Sequence, residues 1–193
     1  VGGWNDQSVL TQRFTIQTPR GPVVGYTGMK SGHISTPEER KTMVALQDMM
    51  LDIGVRSREE AERLGVRPGL PVTYRTRFEE LNGTGRYLAR AFDDRVGLAA
   101  ITEVLRQVKG ASLPCTVEVA ATVQEEIGLR GAMTVYPGTR PDLVINLEIG
   151  IAADFPLLTS PKLAQEALGK GPALFIFDGS MIPNNRLVEW TVG

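Results

Sequence analysis

The spacing of apolar and polar positions divides the chain into two parts of different character. Residues 1–86 read as mostly β. Residues 9–18 (VLTQRFTIQT) alternate imperfectly, Pro19-Arg20-Gly21-Pro22 marks a turn, and residues 23–27 return as a second strand, which together predict a hairpin. Residues 28–37 form a loop rich in Gly, Ser and Thr that contains the only histidine, His33. Thr36-Pro37-Glu38-Glu39 offers a capping hydroxyl with proline at a first helical position, so a short helix is expected to start there. Residues 49–54 predict a short apolar strand. Ser57-Arg58-Glu59-Glu60 is a capping box opening a helix that ends near Gly65, and residues 72–74 predict another strand. Asn82-Gly83-Thr84-Gly85 is the strongest loop signal in the chain, and the domain boundary is placed just after it, giving domains 1–86 and 87–193.

Strand and helix patterns alternate in the second part. Residues 95–108 carry Val96, Ala99, Ala100, Val104 and Leu105 on one side of a helix. Residues 115–121 (CTVEVAA) predict a buried strand, followed by Glu125 and Glu126 in a turn that Gly128 and Gly131 punctuate, and then a short helix. Residues 141–148 predict a further buried strand ending in an acid, residues 173–177 (ALFIF) another, and residues 187–190 (LVEW) a helix. This order predicts an α/β class with a mixed, mostly parallel sheet covered by helices. Gly169-Lys170-Gly171-Pro172 is not a phosphate loop, because its spacing is wrong and a proline follows.

Composition adds mostly exclusions. The 193 residues suffice for one large domain or two small ones. Lys and Arg total 21 against 22 Asp and Glu, so no basic surplus points to nucleic acid. No apolar run reaches membrane-spanning length and no signal-peptide pattern is present, so the cytoplasm is the expected compartment. The single cysteine, Cys115, is expected in the core and cannot form an internal disulfide. The chain opens on Val1-Gly2-Gly3-Trp4 without an initiator Met, which reads as a segment of a longer chain.

The candidate chemistry lies in acids at strand and loop ends: Asp93-Asp94, Glu125-Glu126, Glu148, and Asp154 six residues further. Adjacent carboxylates repel each other unless a cation or a proton intervenes. Carboxylates converging at one sheet edge suit a two-metal hydrolytic site, in which one acid bridges the ions, others terminate them, and one remains free to take a proton. Hard oxygen donors accommodate Zn, Co or Mn. Each acid also has an ordinary reading. Asp93 and Asp94 suit a helix cap, Glu125 and Glu126 the N-terminal end of a helix dipole, and Glu148 a strand-end ion pair. The combination, in this order and on these elements, favours chemistry.

Residues 89–97 (ARAFDDRVG) resemble the "KAFDDRxG" block of the M42 family of metallo-aminopeptidases, and residues 122–132 (TVQEEIGLRGA) match its "TVQEExGxRGA" block almost letter for letter. Residues 144–154 (VINLEIGIAAD) are similar to its "alDvxiAxD" block. Residues 1–4, the Gly32-His33 loop and residues 48–54 resemble its β-domain, and residues 169–172 its "GKGP". The likeness covers nearly the whole chain.

The resemblance implies a zinc-peptidase-like catalytic part in residues 87–193 and an inserted β-rich dimerisation domain in residues 1–86. It implies two divalent metal ions per subunit, Zn or Co with Mn as a third candidate. Asp93 would bridge them, Glu126 would ligate one and Glu148 the other, and Glu125 would be the catalytic base for N-terminal cleavage of peptide substrates. In related enzymes the peptide after this Asp is cis. Glu148 stands where the family usually has Asp. Asp94 is assigned a positional part, and His33 is read as structural or surface. The family's histidine ligands, one in an upstream "AHxDE" block and one downstream, have no counterpart here, so this chain by itself is expected to be inactive. A homo-oligomer, dimer building to dodecamer, is implied, with neither nucleic acid nor membrane as partner. Two rival readings remain at this point: a glycoside hydrolase using a carboxylate pair, and a non-catalytic scaffold of the same family.

Overall fold

The computed structural model describes residues 5–156 and 165–193. It distinguishes two compact units, Val1–Phe92 with Pro114–Val144 and Asp93–Leu113 with Ile145–Gly193. The Val1–Trp4 part of the family resemblance lies outside the described residues.

The expected hairpin is the centre of the first unit. Strands β1 (Arg13–Thr18) and β2 (Gly21–Thr27) pair antiparallel from Arg13↔Tyr26 to Thr18↔Gly21. Gly21, at φ 114, adopts a backbone conformation that side chains resist, which suits the tight turn at Pro19-Arg20. The Thr18 hydroxyl donates to the Gly21 carbonyl at 2.7 Å and accepts the Arg20 N–H at 3.1 Å. Strand β3 (Leu51–Asp52) adds to β2 and β4 (Val72–Tyr74) to β1, giving the antiparallel order β3-β2-β1-β4. The pleat puts Phe14 and Ile16 on one face, where both are buried. The Phe14 ring meets Tyr74 with centroids 4.5 Å apart. A short helix α1 (Asp6–Val9), capped by Asn5, brings Val9 into this core. Thr27 is buried but satisfied, accepting the Gln12 N–H at 3.1 Å and donating to the Val9 carbonyl.

Gly25 faces Phe14 across the ladder, and the Leu51 side chain fills the place of its missing Cβ, with Cγ 2.7 Å from that position. We expect Gly25→Ala to overpack this site and destabilise the sheet by about 1–3 kcal/mol. An unchanged urea midpoint would show that Leu51 can move aside.

The capping box at Ser57 forms as expected. Its hydroxyl accepts the Glu60 N–H at 3.2 Å, opening α2 (Arg58–Arg63), and Gly65 follows at φ 82. The end of α2 is tied to the hairpin turn by the Arg20 guanidinium, which donates to the Arg63 carbonyl at 2.5 Å. The box at Thr36 also forms: Glu39 N–H donates to the Thr36 hydroxyl at 3.2 Å and Thr36 N–H to the Glu39 carboxylate at 2.8 Å. There it supports turns, and no helix follows. The Asn82–Gly85 stretch lies between β5 (Glu79–Glu80) and β6 (Tyr87–Leu88), which pair antiparallel. Phe78 stacks on Tyr87 at 5.2 Å and meets Phe92 edge-on at 6.3 Å.

Helices in the later part form where the pattern places them: α3 (Phe92–Val108), α4 (Arg130–Thr139) and α5 (Asn185–Val192), the last capped by Asn184. The buried strands do not. Residues 115–121, 141–148 and 173–177 carry no regular secondary structure, and Cys115, Val144, Ile145, Ile176 and Phe177 are exposed. The apolar side of α3 is also open, with Val96, Val104 and Leu105 more than two-fifths exposed. Among the described residues every strand pairing is antiparallel. The physical reason is pairing: an apolar run can become a central parallel strand only where neighbouring strands and covering helices satisfy its backbone and bury both faces.

Candidate active site

Asp93 and Asp94 interrupt α3 near its start. Their backbones (φ −82, ψ 113 and φ −113, ψ 61) are not helical, and the peptide between them is cis, as the resemblance implied. Asp94 accepts the Gly97 N–H on Oδ1 at 2.7 Å, the geometry of a helix N-cap. The ordinary reading therefore holds for Asp94. Gly97 is the buried residue of α3, and a Cβ there would stand 2.7 Å from Asp94 Oδ1, so the carboxylate occupies the space a side chain would need. We expect Asp94→Ala to destabilise α3 by about 0.5–2 kcal/mol, with Asp94→Asn close to silent. Helical circular dichroism on thermal unfolding distinguishes them, and equal losses would refute the cap. Asp93 has no such duty and is exposed.

Glu125 and Glu126 open a 3-10 turn, Glu125–Ile127. The turn is bracketed by left-handed residues: Gln124 at φ 60, Gly128 at φ 114 and Leu129 at φ 56. Left-handed backbone costs a non-glycine residue roughly 1–2 kcal/mol, and such outliers concentrate where a loop must present particular side chains. The loop is closed by Leu129 N–H to Glu125 O at 2.9 Å, Arg130 N–H to Gln124 O at 3.3 Å and Gly131 N–H to Val123 O at 2.9 Å. Both carboxylates are exposed. Gly128 is the turn glycine expected. Gly131 is not: it lies in the first turn of α4, without a positive φ, and is buried.

Glu148 is exposed, and its Oε1 accepts the Ile149 N–H at 3.0 Å. Asp154 is exposed as well, and His33 sits in an exposed loop, as expected. Cys115 was expected in the core and is exposed, because the strand that would have buried it is not paired. Asp178, which the sequence did not single out, has its carboxylate held below the usual range by the backbone N–H groups of Ser180 and Met181, with Ser180 Oγ adding to them. It shapes a turn.

Asp93 and Glu148 belong to one unit and Glu125 and Glu126 to the other. Among the described residues no group of three or more His, Cys, Asp or Glu side chains could hold a metal ion. The donor chemistry of these acids suits hard divalent ions. What the chain itself builds is a capped Asp-Asp corner and a closed loop presenting two neighbouring glutamates. Gly97 and Gly131 each lie a few residues after a pair of acids, but the task of each follows from a close approach that the sequence does not record.

The profile of the family described as M42 glutamyl aminopeptidase matches residues 1–193. The putative aminopeptidase FrvX of Escherichia coli (strain K12) is 35% identical over 189 residues, 97% of this chain and 52% of that protein. Among solved structures, the TET aminopeptidase of the marine sediment archaeon Thaumarchaeota archaeon SCGC AB-539-E09 superposes with a TM-score of 0.91 at 43% identity, over 99% of this chain and 54% of that one. The TET1 peptidase of Pyrococcus horikoshii, described as assembling into a tetrahedron or a large octahedral shell, superposes with a TM-score of 0.61 at 35% identity, over 68% of this chain and 39% of that one. The chain spans about half the length of the curated relatives it matches. None of the three proteins named here is a glycosidase, and the carboxylate-pair hydrolase finds no support in them. From the match along its entire length, this chain belongs to the M42 glutamyl aminopeptidase family.

Proposed function

We propose that the complete protein is a metal-dependent aminopeptidase that removes N-terminal residues from peptides. The observation that carries this reading is the Glu125–Glu126 pair held on a closed, left-handed loop, in a chain of a peptidase family. Glu125 is assigned as the base, taking a proton from the attacking water and returning it to the leaving amine. Asp93, Glu126 and Glu148 are assigned as the carboxylate donors to two divalent ions, Zn or Co with Mn as the third candidate. The metal requirement is assigned to the complete protein, and the isolated chain, whose only histidine is His33, is expected to be inactive.

The same proposal extends to architecture. Residues 115–121, 141–148 and 173–177 are assigned to a mostly parallel sheet in the complete protein, which their exposed apolar side chains support. Residues 1–86 are assigned as the self-association domain of a homo-oligomer, a dimer building to a dodecamer, in keeping with the shells described for the Pyrococcus horikoshii relative. The compartment proposed is the cytoplasm; among the described residues no helix is long and apolar enough to cross a membrane.

The test is chelation of the complete gene product followed by return of Zn, Co or Mn against a panel of aminoacyl substrates. Loss of cleavage on chelation and recovery with metal are expected. Full metal occupancy without cleavage of any peptide would favour the scaffold reading, and glucan cleavage that survives chelation would favour a glycosidase.

A further inference from the structure

We infer that Gly131 is a positioning residue for the two glutamates, clamping the base of the loop that presents them; this rests on the proposed roles of Glu125 and Glu126. Glycine is a poor helix residue, yet Gly131 stands in the first turn of α4, and its φ is not in the left-handed region that would call for glycine. Its requirement is a close approach. A Cβ built on Gly131 would lie 2.5 Å from the backbone nitrogen of Val123, 2.5 Å from the Val123 carbonyl oxygen and 3.1 Å from Thr122 Cβ. Two of these are main-chain atoms, which cannot swing aside as a side-chain tip can. The same contact carries the hydrogen bond from Gly131 N–H to Val123 O at 2.9 Å. Chain therefore leaves at Val123, presents Glu125 and Glu126 on the turn, and returns to touch its own starting point at Gly131.

The consequence is geometric. Any side chain at position 131 forces α4 away from Val123, opens the closing hydrogen bonds and moves both glutamates together. A displacement near 1 Å at a reacting group costs about 10²-fold in rate. Gly138 supplies the control: it is in the same helix, lacks a positive φ, and has open space where its Cβ would be.

The test is steady-state kinetics of the complete protein as wild type, Gly131→Ala, Gly138→Ala and Glu125→Gln, with amide hydrogen exchange of residues 122–131. For Gly131→Ala we expect kcat to fall about 10²-fold with KM changed by less than about threefold, and faster exchange at the amides of Leu129, Arg130 and Gly131. Gly138→Ala is expected to match wild type in both. Gly131→Ala within about threefold of wild-type kcat, beside an inactive Glu125→Gln, would overturn the clamp and leave the peptidase reading standing. Equal losses in Gly131→Ala and Gly138→Ala would also overturn it, showing only a weakened helix. An active Glu125→Gln would remove Glu125 from the base position and overturn the positioning inference with it, whereas a wild type that cleaves no peptide would overturn the peptidase reading. Should Gly131→Ala not fold, exchange in the wild type decides: slow exchange at the Gly131 amide supports the clamp, and exchange at the rate of an open loop refutes it.

Discussion

Glu125→Gln in the complete protein is expected to lower kcat for aminoacyl substrates by roughly 10²–10⁴-fold, the usual contribution of a positioned base. The substitution preserves size and hydrogen-bonding reach and removes only the capacity to take a proton. The loop should survive it, because the closing bonds at Glu125 use its main-chain carbonyl, which accepts from Gly128 at 3.0 Å and Leu129 at 2.9 Å. The carboxylate is exposed, so no buried charge is left without a partner. Glu126→Gln separates the two roles. It is expected to lower metal content as well as rate, whereas Glu125→Gln should leave metal content unchanged. Metal analysis beside kinetics reads both. Wild-type turnover in Glu125→Gln, or metal loss in it equal to that of Glu126→Gln, would remove Glu125 from the base position.

Phe14→Ala is expected to destabilise the β sheet by about 3–5 kcal/mol, the range for deleting a buried aromatic ring. Phe14 is 6% exposed and stands between Gly25 and Tyr74 in the ladder, and its ring touches that of Tyr74. Little else is buried around it: the buried apolar residues described are Val9, Phe14 and Ile16. A core this small has few other contacts to sustain it. The check is urea unfolding, with Val24→Ala as the comparison. Val24 lies one position from Gly25, so the pleat turns it to the opposite face, and it is 44% exposed. Its loss should stay within about 0.5 kcal/mol, as for most surface substitutions. A Phe14→Ala midpoint as small in shift as that of Val24→Ala would mean the hairpin is held by its backbone ladder alone.

The site was legible in pieces. The acids at positions 93, 94, 125, 126 and 148 stand out because charge at the ends of apolar runs is costly unless used. Their family blocks were readable letter by letter. Helix-start chemistry alone leaves Asp93 and Asp94 equivalent; the resemblance gave them different parts, and the 2.7 Å bond to Gly97 makes Asp94 the cap. The task of Gly131 was not readable, since as a letter it looks like another turn glycine.

What the sequence determined by itself is local. The hairpin, the capping boxes at Thr36 and Ser57, and the helices α2, α3 and α5 each depend on residues within a few positions of one another, through side-chain caps, turn chemistry or helical spacing. Whether Thr36 begins a helix or only turns, and whether the segments 115–121, 141–148 and 173–177 become buried strands, depended on distant partners. A strand's hydrogen bonds are made to other segments, so its pattern records a capacity that only tertiary pairing can realise. The same holds for close approach: that Gly131 must lie against Val123 follows from where α4 returns in space, which no spacing of apolar and polar residues encodes.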